Sequence, residues 1–363
     1  MKKNKNYVDL KDQPVPEGQH LLEVDDLKMY FHTEDGVVRA VDGVSYTLDR
    51  GETLGVVGES GSGKSVTAMT IMGLISMPPG KIEGGDVRYR GRSILEMTEE
   101  EMQHIRGNDI AMIFQDPMTS LNPVYKIGKQ VGEGLRLHRG YSKQEALKRA
   151  TELLDLVGIP EPEKRVNEYP HQFSGGMRQR VMIAMALACD PDILIADEPT
   201  PALDVTIQAQ IIELMQEMQE KNGNAIIMIT HDLGVVADMA DKIMVMYAGR
   251  PVEFGTAEEI FYESRHPYTW GLIRSIPEQA IEEKKPLTPI HGNPPSLMNL
   301  PEGCVFSPRC PYATDKCRKQ RPERVVTESG HYSACHYSGD PEFLKNAPET
   351  SRTRKDSKKG GEA

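Results

Sequence analysis

Residues 58–65 carry the strongest chemical signal in the sequence. They read Gly-Glu-Ser-Gly-Ser-Gly-Lys-Ser and match the phosphate-binding pattern G-x-x-x-x-G-K-[ST]. Glycines let backbone N–H groups curl around an anion, Lys64 would place its charge near the β- and γ-phosphates, and Ser65 would offer a hydroxyl to Mg²⁺. The alternative is a glycine-rich turn that binds nothing. We expect nucleotide contacts from Gly58, Ser60, Gly61, Gly63, Lys64, Ser65 and Val66.

The segments on both sides of this loop favour phosphate binding. Residues 53–57 are apolar and predict a buried strand, and residues 66–75 predict a helix. Such a helix would add the positive end of its dipole to the anion site.

A second chemical group follows another apolar run. Residues 193–196 predict a buried strand, and Asp197 and Glu198 come directly after it. Ligands bind at the carboxyl ends of parallel strands, so Asp197 would hold Mg²⁺, directly or through water. Glu198 would polarise the attacking water as a general base. The alternative is an acidic pair that caps the next turn.

A third group, Ser174-Gly175-Gly176-Met177, has the pattern of a helix start with exposed N–H groups. It predicts a second anion-binding site in the same chain.

Composition limits the class of protein. The chain has 363 residues, a mean hydropathy of −0.48 and a net charge of −11. No apolar run approaches the roughly 20 residues that span a bilayer, and residues 1–7 are basic without the apolar core of a signal peptide. We expect a soluble, intracellular protein that reaches membranes only through partners. The acidic charge argues against a nucleic-acid partner.

Patterning along the chain predicts an α/β fold with an inserted helical region. Residues 1–20 are polar and predict a mobile tail, and strand-like patterns begin at Leu21. Helical patterns dominate residues 98–180, whereas 193–196 and 225–230 are continuous apolar runs typical of a parallel sheet buried on both faces.

The end of the chain has a different composition. Prolines accumulate after about residue 263, so residues 263–340 predict a loop-rich appendage that folds apart from the phosphate loop. Residues 341–363 are polar and predict a disordered tail.

Four of the five cysteines crowd this appendage, with the spacing C-x₅-C-x₆-C-x₁₇-C. This is not the C-x₂-C pair of a zinc ribbon. Four thiolates on loop-rich sequence could hold a [4Fe–4S] cluster that staples a segment without its own core, with Zn²⁺ or no metal as alternatives. The candidate ligands are Cys304, Cys310, Cys317 and Cys335, while Cys189 reads as a small buried hydrophobe.

The motifs together resemble an ATP-binding cassette. Residues 174–177 are similar to the family's signature turn, with Met in place of the commoner Gln. Gln115 matches the Q-loop, residues 202–204 match the D-loop, and His231 matches the switch histidine that contacts the γ-phosphate. Pro201 stands where the family usually has Ser or Thr. The resemblance implies a P-loop α/β core with an inserted helical subdomain and an N-terminal antiparallel β region over residues 21–262, plus a loop-rich C-terminal extension.

The resemblance also implies head-to-tail pairing of two cassettes. Ser174, Gly175, Gly176 and Met177 would then serve the partner's ATP, and Asp204 would lie in the D-loop between the sites. It implies ATP and Mg²⁺ as ligands, with Phe31 stacking on adenine; Tyr30 is the second choice, and either could be a core aromatic. The implied Mg²⁺ ligands are Ser65, Gln115 and Asp197, and the implied catalytic set is Glu198, His231 and Gln115.

Longer stretches resemble the ATPases of oligopeptide and dipeptide importers. These are residues 114–123, 169–180, 203–210 and 265–269, the last of which opens the C-terminal extension of that group. The similarity covers about residues 22–337. Val66 and Thr206 look like the D-type subunit, and some members of the group hold iron–sulfur clusters in this extension.

This resemblance implies an ATPase that powers peptide import at the cytoplasmic face of the membrane. Its partners would be an F-type ATPase, two permease subunits and an extracytoplasmic substrate-binding protein. The alternatives are the same machinery importing nickel, glutathione or oligosaccharide, a soluble cassette ATPase acting on DNA, ribosomes or iron–sulfur assembly, and an iron–sulfur electron carrier.

Overall fold

The computed structural model describes residues 10–11, 13–116, 120–199, 205–276 and 289–348. The strands are β1 (Leu22–Thr33), β2 (Gly36–Leu48), β3 (Thr53–Val57), β4 (Gly80–Tyr89), β5 (Arg92–Ser93), β6 (Ile110–Ile113), β7 (Ile193–Asp197), β8 (Ala225–Thr230), β9 (Lys242–Tyr247), β10 (Arg250–Thr256), β11 (Val325–Val326) and β12 (Tyr332–Ser333).

The α-helices are α1 (Lys64–Ile71), α2 (Glu99–Ile105), α3 (Ile127–His138), α4 (Lys143–Leu156), α5 (Pro162–Arg165), α6 (Gly175–Leu187), α7 (Val205–Asn222), α8 (Leu233–Met239), α9 (Ala257–Tyr262), α10 (Pro267–Ile273), α11 (Asp315–Lys319) and α12 (Pro341–Leu344). A short 3₁₀ helix spans Pro170–Gln172. In the described parts of the chain, no helix is both long and apolar enough to cross a bilayer.

A central sheet carries the chemistry. Its strand order is β11-β12-β10-β9-β3-β8-β7-β6, and the neighbours from β9 to β6 run parallel. Every residue of β3, β7 and β8 is buried, because helices cover one face of this sheet and a second sheet covers the other. The predicted α/β core is confirmed.

The second sheet is antiparallel and has the order β2-β1-β4-β5. Its apolar side packs on the central sheet in one core that includes Leu22, Met29, Leu54 and Ile227. This is the N-terminal antiparallel region that the family resemblance implied.

A buried ion pair ties the two sheets together just before β7. Arg90 Nη2 lies 2.6 Å from Asp192 Oδ2, and the Tyr89 hydroxyl donates to the same oxygen at 2.7 Å. Burial alone would raise the pKa of Asp192, but these hydrogen bonds outweigh it and the pKa is lowered. Removing one partner of such a pair costs about 3–5 kcal/mol, so it fixes the position of the strand that carries Asp197 and Glu198.

The helical insertion lies between β6 and β7. Helix α4 begins with a capping box, in which Ser142 accepts from the Glu145 N–H and Glu145 accepts from the Ser142 N–H. Its buried residues Ala146, Ala150 and Leu153 recur at helical spacing and pack in the main core. Helical patterns were predicted to dominate residues 98–180, and the structure also places the short strand β6 within this stretch. Four apolar residues are too short a run to distinguish strand from helix locally.

The C-terminal segment is not an independent appendage. Strands β12 and β11 extend the central sheet beyond β10, and Val305 and Phe306 belong to the main hydrophobic core. The expectation that this segment folds apart from the phosphate loop is therefore wrong. Its described helices α10, α11 and α12 are short, as its prolines predicted.

Order also extends further towards both ends than composition suggested. Leu10 is only 5% exposed, and Lys11 Nζ donates to the carbonyls of Asn108 and Cys189 at 3.1 Å. In α12, the Phe343 ring lies 5.3 Å from that of Trp270. Part of each predicted tail, residues 10–11 and 13–20 at one end and residues 341–348 at the other, is therefore described by the structure. Residues 1–9 and 349–363 lie outside the described residues.

Candidate active site

The phosphate loop joins β3 to α1 and needs glycine at two close approaches. Gly58 has φ +152° and Gly63 has φ +100°. A Cβ at Gly58 would lie 2.2 Å from the Met246 carbonyl oxygen, and one at Gly63 would lie 2.3 Å from that of Ala40. These contacts exclude any larger residue and set the curvature of the loop.

Lys64 lies at the centre of this loop. Its side chain is buried, and Nζ donates to the carbonyls of Gly58 at 2.7 Å and Glu59 at 3.1 Å. Burial lowers the pKa of Lys64, because charge is poorly solvated there. Ser60 and Gly61 are exposed at the tip of the loop, while Ser65 and Val66 are half-buried at the helix start.

Ser65 and Asp197 meet beside the loop, although they are far apart in sequence. The Ser65 hydroxyl donates to Asp197 Oδ1 at 3.0 Å. Asp197 is 2% exposed, and burial raises its pKa, with the Ser65 hydrogen bond opposing the shift. A hydroxyl and a carboxylate are oxygen donors of the kind that Mg²⁺ prefers, so these residues fit the ion.

Glu198 is the meeting point of two further predicted residues. Gln115 Nε2 donates to Glu198 Oε2 at 2.9 Å, and His231 Nδ1 lies 3.2 Å from Glu198 Oε1. Glu198 has φ +45°, a left-handed conformation that is uncommon for a residue other than glycine. Its N–H donates to the Ile229 carbonyl at 2.9 Å, so the strand pair β7–β8 holds this strained residue in place.

The predicted signature residues lie at the start of α6. The Ser174 hydroxyl caps the helix by accepting from the Met177 N–H at 3.3 Å, and its carbonyl accepts from the Arg178 N–H. Ser174 and Gly175 are exposed, and Gly176 and Met177 are half-buried. These contacts are local to the helix start.

Comparison with known proteins supports the chemistry of this site. A family model for ABC transporters matches residues 41–201, and one for the oligopeptide/dipeptide transporter C-terminal region matches residues 252–317. The oligopeptide transport ATP-binding protein OppD of Bacillus subtilis (strain 168) is 58% identical over 312 residues, 86% of this chain and 87% of the relative. The chain belongs to the oligopeptide/dipeptide transport ATP-binding proteins of the ABC family.

Other members of this family and fold agree. The dipeptide transport ATP-binding protein DppD of Escherichia coli (strain K12) is 52% identical over 320 residues, 88% of this chain and 97% of the relative. A dimeric post-hydrolysis structure of the ATP-binding cassette MJ0796 with ADP and Pi superimposes with a TM-score of 0.60 and 29% identity, covering 65% of this chain and 98% of that one. The cassette is an ABC-type ATP hydrolase, which implies ATP and Mg²⁺ as its ligands.

The predicted adenine-stacking position lies in β1 of this cassette. Phe31 is half-buried and opposes Val38 and Gly80 on the neighbouring strands. The hydroxyl of Tyr30 donates to Asp42 at 2.9 Å, so Tyr30 makes a polar contact with the neighbouring strand β2 of the same sheet. The predicted D-loop residues Asp204 and Pro201 lie outside the described residues.

The four late cysteines of the cassette line one small cavity. Burial raises the pKa of Cys304, that of Cys310 to about 11 and that of Cys335 to about 12. Across the described residues, however, no group of three or more His, Cys, Asp or Glu side chains is arranged to hold a metal ion. Cys189 is buried and packs in the main core, as predicted for a small hydrophobe.

A larger cavity of about 720 Å³ opens between α1, the end of β6 and helix α6. It borders Ser65, Gln115 and Asp197, so it adjoins the site. Its lining is rich in flexible apolar side chains, including Met69, Met72, Met112, Met182 and Met185.

Two residues that touch the phosphate loop were missed by sequence reasoning. Tyr268 and Arg309 both contact Glu59, the second residue of the loop. Tyr268 lies in the 265–269 stretch that marked the extension, which was a signal without a stated role. Nothing in the sequence around Arg309 indicated its contact with Glu59, because the two residues are 250 positions apart.

Proposed function

We propose that the chain hydrolyses ATP to drive uptake of oligopeptides or dipeptides through a membrane permease. The observation that carries the proposal is the match of residues 252–317 to the oligopeptide/dipeptide transporter C-terminal region, attached to a cassette in which Gln115 and His231 both contact Glu198. In this proposal residues 21–262 form the cassette and 263–340 the extension.

Two groups of residues share the chemistry: one binds the phosphates and Mg²⁺, and the other activates the attacking water. Lys64 and the loop amides hold the phosphates, with Gly58, Ser60, Gly61, Gly63 and Val66 shaping the loop. Ser65, Asp197 and Gln115 would hold Mg²⁺, which neutralises charge that develops on the transferred phosphoryl group.

Glu198 belongs to the second group and acts as the general base in hydrolysis. Its carboxylate accepts the proton as water attacks the γ-phosphorus and the bond from that phosphorus to the β–γ bridging oxygen breaks, releasing ADP. Gln115 and His231 orient the carboxylate through the contacts at 2.9 and 3.2 Å. Apart from its contact with Glu198, His231 is exposed, so the γ-phosphate could reach its ring. Phe31 stacks on adenine at the far end of the nucleotide.

Two cassettes pair head to tail in this proposal, the second being an F-type ATPase. The exposed start of α6 at Ser174 and Gly175 supports pairing, because a helix N-terminus offers unpaired N–H groups to an anion. Gly176, Met177 and the D-loop Asp204 would complete the partner's site.

Two permease subunits and an extracytoplasmic substrate-binding protein complete the proposed assembly, which places this chain at the cytoplasmic face. We locate the permease contact at the methionine-lined cavity. It is open and apolar, it borders Gln115, and Val124 and Tyr125 beyond the 115–123 segment are exposed. A permease helix there would sense Gln115 directly.

The cysteine segment is proposed to hold a [4Fe–4S] cluster, with Zn²⁺ as the alternative. The support is chemical: Cys304, Cys310, Cys317 and Cys335 line one cavity, and four thiolates are the ligand set of such clusters. The raised thiol pKa values mean that loading must release protons, so metal affinity should rise with pH.

The test is reconstitution of the chain with its neighbouring permease and second ATPase in lipid vesicles that also receive the binding protein. We expect ATP-dependent uptake of a labelled tripeptide or pentapeptide, and none with Glu198→Gln. Uptake of nickel, glutathione or an oligosaccharide in place of peptides would overturn the cargo proposal, and hydrolysis that never responds to the permease would overturn the transport role.

A further inference from the structure

The cysteine segment reaches back to the phosphate loop through one ion pair. Arg309 lies directly before Cys310, and its Nη1 and Nη2 donate to the Glu59 carboxylate at 2.5 and 3.0 Å. This is a two-point guanidinium–carboxylate contact, the strongest form of charged hydrogen bond. The Arg309 side chain is 4% exposed and that of Glu59 is 30% exposed, so the pair is mostly shielded from solvent.

The Arg309 guanidinium also makes three hydrogen bonds to residues other than Glu59. Nε donates to the His291 carbonyl at 3.0 Å, Nη2 to the Ile290 carbonyl at 3.1 Å and Nη1 to the Tyr247 hydroxyl at 3.4 Å. The guanidinium is therefore held in one orientation by two carbonyls of the extension and by Tyr247 of β9, and little side-chain entropy is lost when it binds Glu59.

A second side chain of the extension holds the backbone of the same loop residue. The Glu59 N–H donates to the Tyr268 hydroxyl at 2.8 Å. The Tyr268 ring packs 4.6 Å from that of Tyr247 and 5.3 Å from that of Phe306. The Phe306 carbonyl accepts from the N–H groups of Arg309 and Cys310, both at 3.0 Å, so both contacts to Glu59 rest on one rigid unit.

The main-chain carbonyl of Glu59 contacts Lys64, the residue expected to bind the phosphates of ATP. This carbonyl accepts from Lys64 Nζ at 3.1 Å. The same carbonyl also accepts from the Ser62 N–H at 3.2 Å. Lys64 would have to leave the carbonyl to contact the phosphates, whereas the contacts of Arg309 and Tyr268 with Glu59 do not involve Lys64.

We propose that Arg309 and Tyr268 are positioning residues that keep the phosphate loop in its ATP-binding shape, and that ATP binding in turn stabilises residues 304–310 of the cysteine segment. Coupling between two sites is reciprocal, so each must stabilise the other. The inference rests on ATP binding by the cassette and needs no metal at the cysteines and no peptide cargo.

The experiment measures ATP affinity in full-length Glu198→Gln protein, in which hydrolysis should be too slow to deplete ATP during the measurement. Arg309→Met and Glu59→Gln should each weaken ATP binding at least about fivefold, the lower end of typical coupling. The double variant should be no weaker than the worse single variant, because both changes remove one interaction. Arg309→Lys should be intermediate, since it keeps the charge and loses the two-point contact.

The matched control is Arg318→Met, which removes an exposed arginine of the same extension that pairs with Asp315. It should bind ATP normally. Glu59→Gln guards against misfolding, because Glu59 is partly exposed and its replacement keeps the shape of the side chain. Unchanged melting temperatures would show that lost affinity is not lost structure.

Amide hydrogen exchange supplies the reciprocal readout. Adding ATP should slow exchange in residues 304–310 of the otherwise unaltered protein, and this protection should vanish with Arg309→Met. Affinity within about twofold of the parent for Glu59→Gln, or additive losses in the double variant, would overturn the proposal. Failure of peptide transport would leave these measurements unaffected, so the two proposals fail separately.

Discussion

Glu198 illustrates how the site depends on the conformation of one residue. Its left-handed backbone, φ +45°, directs the carboxylate towards Gln115 and His231 at the end of β7. Strain of this kind costs on the order of 1–3 kcal/mol and persists where surrounding structure enforces it. Here the neighbouring strand β8 enforces it through the Ile229 carbonyl.

Replacing Glu198 with Gln should lower the hydrolysis rate by about 10²- to 10⁴-fold, the usual contribution of a general base. ATP affinity should stay unchanged, because Lys64 and the loop amides hold the phosphates. Lys64→Ala should show the opposite pattern, with weaker binding measured by calorimetry. Loss of ATP binding in Glu198→Gln would mean that Glu198 is structural.

Asp197 should lower the free energy of unfolding at neutral pH while it supports Mg²⁺ binding. Burial raises its pKa, so the folded state holds the proton more tightly than the unfolded state, and stability is lost as pH rises through the folded pKa. Asp197→Asn should therefore raise the free energy of unfolding at neutral pH, and the gain should shrink at acidic pH. In the same variant Mg²⁺ should no longer strengthen ATP binding. Urea unfolding at both pH values tests this sign, and a uniform loss of stability would refute it.

Two helices, α1 and α6, have N-termini that could bind an anion, and these N-termini lie in different surroundings. Helix α1 directs its start into the chain's own phosphate loop, whereas the start of α6 at Ser174 is exposed to solvent. The extension is a third element, which continues the central sheet through β12 and touches the loop at Glu59. Because the extension packs in this way, it contributes to the folding stability of the cassette.

At the scale of this segment, Cys310→Ser should abolish metal binding and speed proteolysis between residues 300 and 337. Protein prepared without oxygen should be brown and hold about four irons per chain if the cluster forms. Because Arg309 precedes Cys310 and contacts Glu59, the same variant should also weaken ATP binding. Cys189→Ser, buried elsewhere, is the control and should leave the iron unchanged.

One zinc per chain would exclude the iron–sulfur cluster but would still support a metal that holds the cysteine segment together. Four freely alkylated thiols would exclude both hypotheses.

For the whole molecule, the exposed signature turn makes the single chain an incomplete enzyme in our proposal. The isolated chain should hydrolyse ATP slowly, and adding the F-type ATPase and permease should raise the rate. Light scattering must accompany the assay, because a homodimer could supply part of the effect. Full activity in a strict monomer would contradict head-to-tail pairing.

Local patterns in the sequence were sufficient for the parts of the site that are contiguous. Residues 58–65 and 193–198 were identified because strand, turn and helix signals lie within a dozen residues of each other. The motif set also predicted the cassette fold and its family. Gln115 and His231 were assigned through family resemblance, since an isolated Gln or His has no distinctive local pattern.

Only the tertiary structure brought distant residues together. The contacts Ser65–Asp197, Gln115–Glu198 and Arg309–Glu59 join residues 132, 83 and 250 positions apart. Strand β6 and the contacts of Lys11 were likewise missed. Side-chain packing between elements sets these distances, and sequence periodicity reports only which face of one element is apolar.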